Sequence, residues 1–170
     1  MRQCGDCNLC CKLLPVPPLG KGANERCTHQ RHTGCRVYHK PGMPMECALW
    51  NCRWLVGNAG GTSRPDRSHI VIAVMPDFID VSDNETGEKF PIEVIQCWID
   101  PRYPDAHKEP AFRAFLFEQA KYGRFALIRS NARDAFILVA PEMENGEWRE
   151  LGGVSSGRTH TATEIAQALS

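Results

Sequence analysis

Eight cysteines crowded between Cys4 and Cys52 constrain this 170-residue chain more than any other feature. The run "CGDCNLCC" (4–11) holds Cys4, Cys7, Cys10 and Cys11, and Cys27, Cys35, Cys47 and Cys52 follow. Prolines and glycines are scattered among them, with few periodic apolar runs. Such a segment can hardly bury enough surface to fold unaided, so something must staple it. The opening "MRQCGDC" has no apolar h-region and is not read as a secretory signal. The default compartment is then the cytoplasm, where thiols stay reduced and disulfides are rare. All eight cysteines are accordingly expected to be metal ligands rather than disulfide partners.

Cys4, Cys7 and Cys10 form two overlapping C-x-x-C steps. A two-residue spacer lets a tight turn aim two sulfurs at one point about 2.3 Å from each, which suits zinc or iron. Soft thiolates select zinc, cuprous copper or an iron–sulfur cluster over magnesium or calcium. The same three positions match the C-x2-C-x2-C run of bacterial ferredoxins. Neighbouring side chains point apart, so Cys10 and Cys11 are expected to serve different roles, in two sites or as one ligand and one support. Cys47 and Cys52 would diverge by about 140° on a helix and need a bend to meet. Eight thiolates fill two four-sulfur sites, or one with four left for other work. His29, His32 and His39 lie among them as substitute ligands, although a surface or supporting role is the ordinary one for each.

These motifs carry a resemblance. Cys4-x-x-Cys7-x-x-Cys10-Cys11, then Cys27, "GCRVY" at Cys35, and Cys47-x4-Cys52 with Trp54 and Leu55 resemble the CxxCxxCC cysteine-cluster family, whose members are described as zinc- or iron-chelating. "RPDRS" (64–68) looks like part of the pattern in a bacterial branch, while "KPGMP" (40–44) departs mildly from the family's "RP" without touching a cysteine. The resemblance covers roughly the first third of the chain well and the rest loosely. It implies metal chelation and says little about activity. Distant relatives include flagellin lysine methylases, which carry an iron–sulfur cluster. That raises iron, with 4Fe–4S the favoured cluster, without implying a methylase.

Beyond residue 57 the pattern becomes that of an ordinary domain. "VGNAGGTSRPD" (56–66) reads as a linker or long turn. "SHIVIAVMP" (68–76) and "PIEVIQCWID" (91–100) read as strands, joined through the turn chemistry of "DVSDNETGEKF". A helix is expected over 104–123, with Pro110 in its first turn, Gly123 at its stop, and Phe112, Phe115, Leu116 and Ala120 as its buried stripe. "RFALIRSNARDAFILVAP" (124–141) reads as a hairpin turning at "SNARD", and "TATEIAQALS" as a short helix capped by Thr161 or Thr163. The expected class is α+β: an irregular cysteine-rich metal-binding module (1–60) packed on a small antiparallel sheet with one or two helices (61–170).

Other residues add less. Cys97 in "VIQCWID" reads as a small buried hydrophobe, the sharper reading being a reactive thiol facing the metal module. Arg64, Asp66 and Arg67 read as a polar turn with a local ion pair, or as donors to metal-bound thiolates. Asp134 and the carboxylates of "EMENGEWRE" read as solvated loop residues. "GGVSSGRTH" (152–160) lacks the Walker ending, and Ser155 and His160 make no triad. Twenty acidic and twenty basic residues balance, which argues against nucleic acid as a partner. The apolar runs are strand-sized and predict no membrane span. The expected function is metal binding, of zinc or an iron–sulfur cluster, with a protein partner or substrate for the C-terminal domain. The alternative is an iron–sulfur redox or methyl-transfer enzyme, or an accessory protein to one.

Overall fold

The computed structural model describes residues 2–83, 85–141 and 146–152. Its elements are α1 (Leu9–Leu13), α2 (Met45–Leu49), α3 (Pro65–Ser68), β1 (Ile70–Ser82), β2 (Lys89–Ile99), α4 (Pro110–Ala120), β3 (Phe125–Arg129), β4 (Ala135–Val139) and β5 (Arg149–Gly152), with two short 3-10 turns at Pro17–Leu19 and Ala106–Lys108. The strands form one sheet in sequence order. The protein is α+β. The segments "GGVSSGRTH" beyond Gly152 and "TATEIAQALS" lie outside the described residues, as do 142–145 of the acidic loop.

The sheet is mostly, not wholly, antiparallel. β2 and β3 run parallel, in register from Val94 opposite Phe125 to Trp98 opposite Arg129. A parallel pair needs a crossover, and α4 supplies it. That helix begins with Pro110 and buries Phe112, Phe115, Leu116 and Ala120. Gly123, at φ 71°, takes the left-handed turn that lets the chain drop into β3. Both faces of the sheet are used. Ile70, Ile72, Ile95, Cys97, Ile99, Ala126, Ile128 and Leu138 face α4. Val71 and Trp98, on the other face, meet Leu9, Leu13, Cys52 and Leu55 of the cysteine-rich segment.

The junction with that segment is built by an irregularity in β1. Ile72 pairs with Cys97, but Pro76 pairs with Ile95, so four residues of β1 advance over two of β2. Within the gap β1 pairs elsewhere. Cys52 bridges Ala73, the Arg53 N–H donates to the Ile72 carbonyl at 2.8 Å, and the Val74 N–H donates to the Asn51 carbonyl at 3.2 Å. Arg53 Nε adds a 3.0 Å bond to the Ala73 carbonyl. The open edge of the sheet at residues 72–74 is thus covered by the segment that carries Cys52, which protects that stretch from pairing with another chain. The stretch expected as a linker is built in: Ala59, Thr62 and Pro65 are buried and Pro65 opens α3. Among the described residues no helix is long and apolar enough to cross a membrane.

Candidate metal centre

α1 carries Cys10 and Cys11 side by side, so their side chains leave the helix about 100° apart. Cys4, Cys7, Cys10 and Cys52 share the apolar cluster of Leu9, Leu13, Leu55, Val71 and Trp98. The same four thiols line a small cavity of about 20 Å³, closed by Trp54, Pro65 and Val71. The bend needed between Cys47 and Cys52 is present, because α2 ends at Leu49 and Trp50 is extended. Cys47 therefore stays on the loop side while Cys52 reaches β1. The thiols whose charge acts on Cys47 are Cys11, Cys27 and Cys35.

All eight thiols line one larger cavity of about 1030 Å³ between the cysteine-rich segment and the sheet. Every cysteine is a free thiol. Among the described residues, no three His, Cys, Asp or Glu side chains converge closely enough to form a finished metal-ligand set. The thiols ring a space rather than meet at a point. Their acidities suit that arrangement. Burial pushes Cys7 and Cys47 up to about 11, and burial likewise raises Cys4 and Cys52. Cys10 is raised because its thiol hydrogen-bonds to Cys11 and because it is buried. Cys11 is lowered by that same hydrogen bond and by the Lys21 ammonium.

Two cations stand among the thiols. Lys21 is buried, and its Nζ donates to the carbonyls of Lys12 (3.2 Å), Gly22 (2.9 Å) and Leu14. Its charge acts on Cys27, Cys11 and Cys10. Arg64 forms a bidentate pair with Asp66 at 2.6 and 2.8 Å, and its charge acts on Cys4 and Cys7. The Asp66 carboxylate also hydrogen-bonds to Cys7. Arg64 and Asp66 thus combine both sequence readings, a local ion pair that stands beside thiols, while Arg67 is exposed.

The histidines separate. His29 lines the large cavity, its ring Nδ1 is buried with no hydrogen-bond partner, and its backbone N–H donates to Cys27 Sγ at 3.5 Å. An orphaned imidazole nitrogen beside a ring of free thiols is a donor set suited to a soft metal. His39 also lines the cavity, whereas His32 does not. Cys97 is fully buried on the α4 face, away from the eight, and burial raises its thiol far above the ordinary range. It is the buried hydrophobe rather than the reactive thiol.

The sheet supplies a polar floor that sequence reading missed. Gln96 Nε2 donates to Asp77 Oδ2 and Trp98 Nε1 donates to Gln96 Oε1, both at 2.9 Å, and the Arg129 guanidinium lies 5.5 Å from the Trp98 ring. All four line the large cavity. The signal was the period of two in β2, which sends Gln96 and Trp98 to the face opposite Cys97. Glu150, expected as a solvated loop carboxylate, lies on β5 with its Oε1 2.8 Å from Nε2 of buried His107. Asp134 stays in its hairpin turn, bonded to Asn131.

Fold and site together define an α+β protein whose sheet carries a cysteine-ringed cavity on one face. No family model, curated protein or solved structure matches the chain.

Proposed function

We propose that this is a cytoplasmic metal-binding protein in which Cys4, Cys7, Cys10, Cys11, Cys27, Cys35, Cys47 and Cys52 hold zinc or an iron–sulfur cluster, 4Fe–4S being the favoured cluster. The observation that carries the reading is the gathering of eight free thiols, drawn from positions 4 to 52, around one cavity together with a buried imidazole nitrogen that has no partner. Structural metal would supply the folding energy that this segment lacks. The sheet domain is the surface for a protein partner, and Phe78 and Phe90 of its long hairpin are exposed. Nucleic acid is disfavoured by the balanced charge.

A second reading rests on the cavity itself. At about 1030 Å³ it exceeds what metal ions need, and its walls combine apolar side chains with Asp77, Gln96 and Arg129. A few polar groups in a large apolar pocket is the usual form of a small-molecule site. This supports an iron–sulfur redox or methyl-transfer enzyme, or an accessory protein to one.

Elemental analysis and an absorption spectrum of protein purified without oxygen, from cells fed iron and zinc, separate the readings. Iron with sulfide and a broad visible band favours the cluster and keeps the second reading alive. Colourless protein with zinc favours the structural one. Protein that takes up neither sinks both.

A further inference from the structure

We propose that the eight thiolates divide into two four-sulfur sites, Cys4/Cys7/Cys10/Cys52 and Cys11/Cys27/Cys35/Cys47. This division rests on the metal-binding reading above and says how that site is built. Two observations on the first four draw this line, and a third joins part of the second set. The first four cysteines all belong to the apolar cluster around Leu13 and Trp98, and none of the second four belongs to any apolar cluster of the described residues. The first four alone among the cysteines line the small cavity between α1, α3 and β1. Within the second four, Cys27 and Cys35 are brought together through Gln30, whose N–H donates to the Cys27 carbonyl at 3.0 Å and which bridges Cys35.

The vicinal pair is where the two sets touch. The Cys10 and Cys11 thiols are hydrogen-bonded, and Cys11 also acts on Cys4, so the two sets meet at this pair. A cation stands near each set. Arg64 is by Cys4 and Cys7, and Lys21 is by Cys11 and Cys27, with Cys10 of the first set also within its reach. Four thiolates around a divalent ion carry a net charge of about −2, so one fixed cation beside each set offsets part of that charge where water is scarce. The sets also differ in mounting. The first packs into the apolar cluster under the sheet, whereas Cys27 and Cys35 lie at the two ends of an irregular loop closed by the Gln30–Cys35 bridge and Cys47 lies on a five-residue helix. The second site therefore exchanges its metal faster.

The test uses cobalt(II), standing in for zinc, titrated into the full reduced chain and followed by its thiolate absorption. Wild type takes up two equivalents and releases them to a chelator in two phases. Cys7→Ser retains one equivalent and loses the slow phase. Cys47→Ser retains one and loses the fast phase. Cys7→Ser/Cys52→Ser still retains one, while Cys7→Ser/Cys47→Ser retains none. Should the Cys7 variants fail to fold, Cys35→Ser and Cys47→Ser decide alone, since their double variant must keep one equivalent. The division is overturned if that double loses both metals, or if Cys7→Ser and Cys47→Ser abolish the same single equivalent. Wild type that binds no cobalt at all, with its thiols shown to be reduced, overturns the metal-binding reading itself, a different result from either.

Discussion

Adding a chelator to the metal-loaded protein is expected to strip hydrogen-exchange protection from residues 4–55 while β1 to β4 keep theirs. The cysteine-rich segment has little else to hold it. Its two α-helices are five residues each, far below the length at which a helix stands alone. Its buried apolar side chains are Leu9, Leu13, Val16, Cys27, Cys52 and Leu55. Six such side chains cannot offset the conformational entropy of ordering some fifty residues at about 1–2 kcal/mol each. Structural zinc contributes on the order of 10–16 kcal/mol of apparent binding energy near neutral pH, more than any single side chain here. The sheet has its own core under α4 and does not depend on the thiols. Exchange measured by mass spectrometry before and after chelation reads both halves at once. Protection of residues 4–55 that survives complete metal removal would refute the stapling argument.

The division of labour that this result tests was partly legible in the residues. Phe112, Phe115, Leu116 and Ala120 repeat at helical spacing behind a proline, so α4 could be read from pattern alone. The extent of β1 could not. Pro76, Asp77, Asp80 and Asp83 resemble turn chemistry, yet β1 runs on to Ser82. It can do so because it is an edge strand whose irregularity brings Pro76 in where no internal ladder bond is lost. The parallel joint between β2 and β3 was also hidden, since "RFALIR" and "AFILVA" read as a hairpin and say nothing of what lies on the far side. The eight cysteines were legible as a set because density and spacing are local properties. Their grouping was not, because Cys52 joins Cys4, Cys7 and Cys10 through tertiary contacts, its bridge to Ala73 and the shared apolar cluster. Buried charge is least legible of all. Nothing local marks Lys21 as buried, for its environment is made by three carbonyls that the fold delivers.

Asp100→Ala is expected to destabilise the metal-loaded protein by about 3 kcal/mol, the low end for breaking a buried ion pair. Asp100 directly follows β2, with its side chain fully buried at 0% exposure. Lys12 Nζ reaches both of its oxygens at 2.8 Å, Arg102 Nη2 adds another 2.8 Å contact, and the Arg102 N–H a fourth at 3.1 Å. Lys12 follows Cys11 on α1, so this carboxylate pins the cysteine helix to the end of the sheet. The low end of the range applies because the cations it leaves behind are partly solvated, at 26% and 70% exposure. Burial alone would raise the Asp100 carboxyl, but the hydrogen bonds from Arg102 and Lys12 outweigh it and hold it well below the usual carboxylate range. Its folded value is therefore depressed. The stability it contributes is complete above its ordinary value of about 4 and is lost as the pH falls further toward the folded value. Urea unfolding of metal-loaded wild type and Asp100→Ala at pH 7 measures the effect: a gap of about 3 kcal/mol. Lys12→Met at pH 7 shows how much of the gap belongs to the helix, because it removes the α1 partner and leaves Arg102 in place. A gap below about 1 kcal/mol at pH 7, the range of an exposed pair, would mean that the cysteine helix is held to the sheet by Leu13 and the metal, and not by this charge.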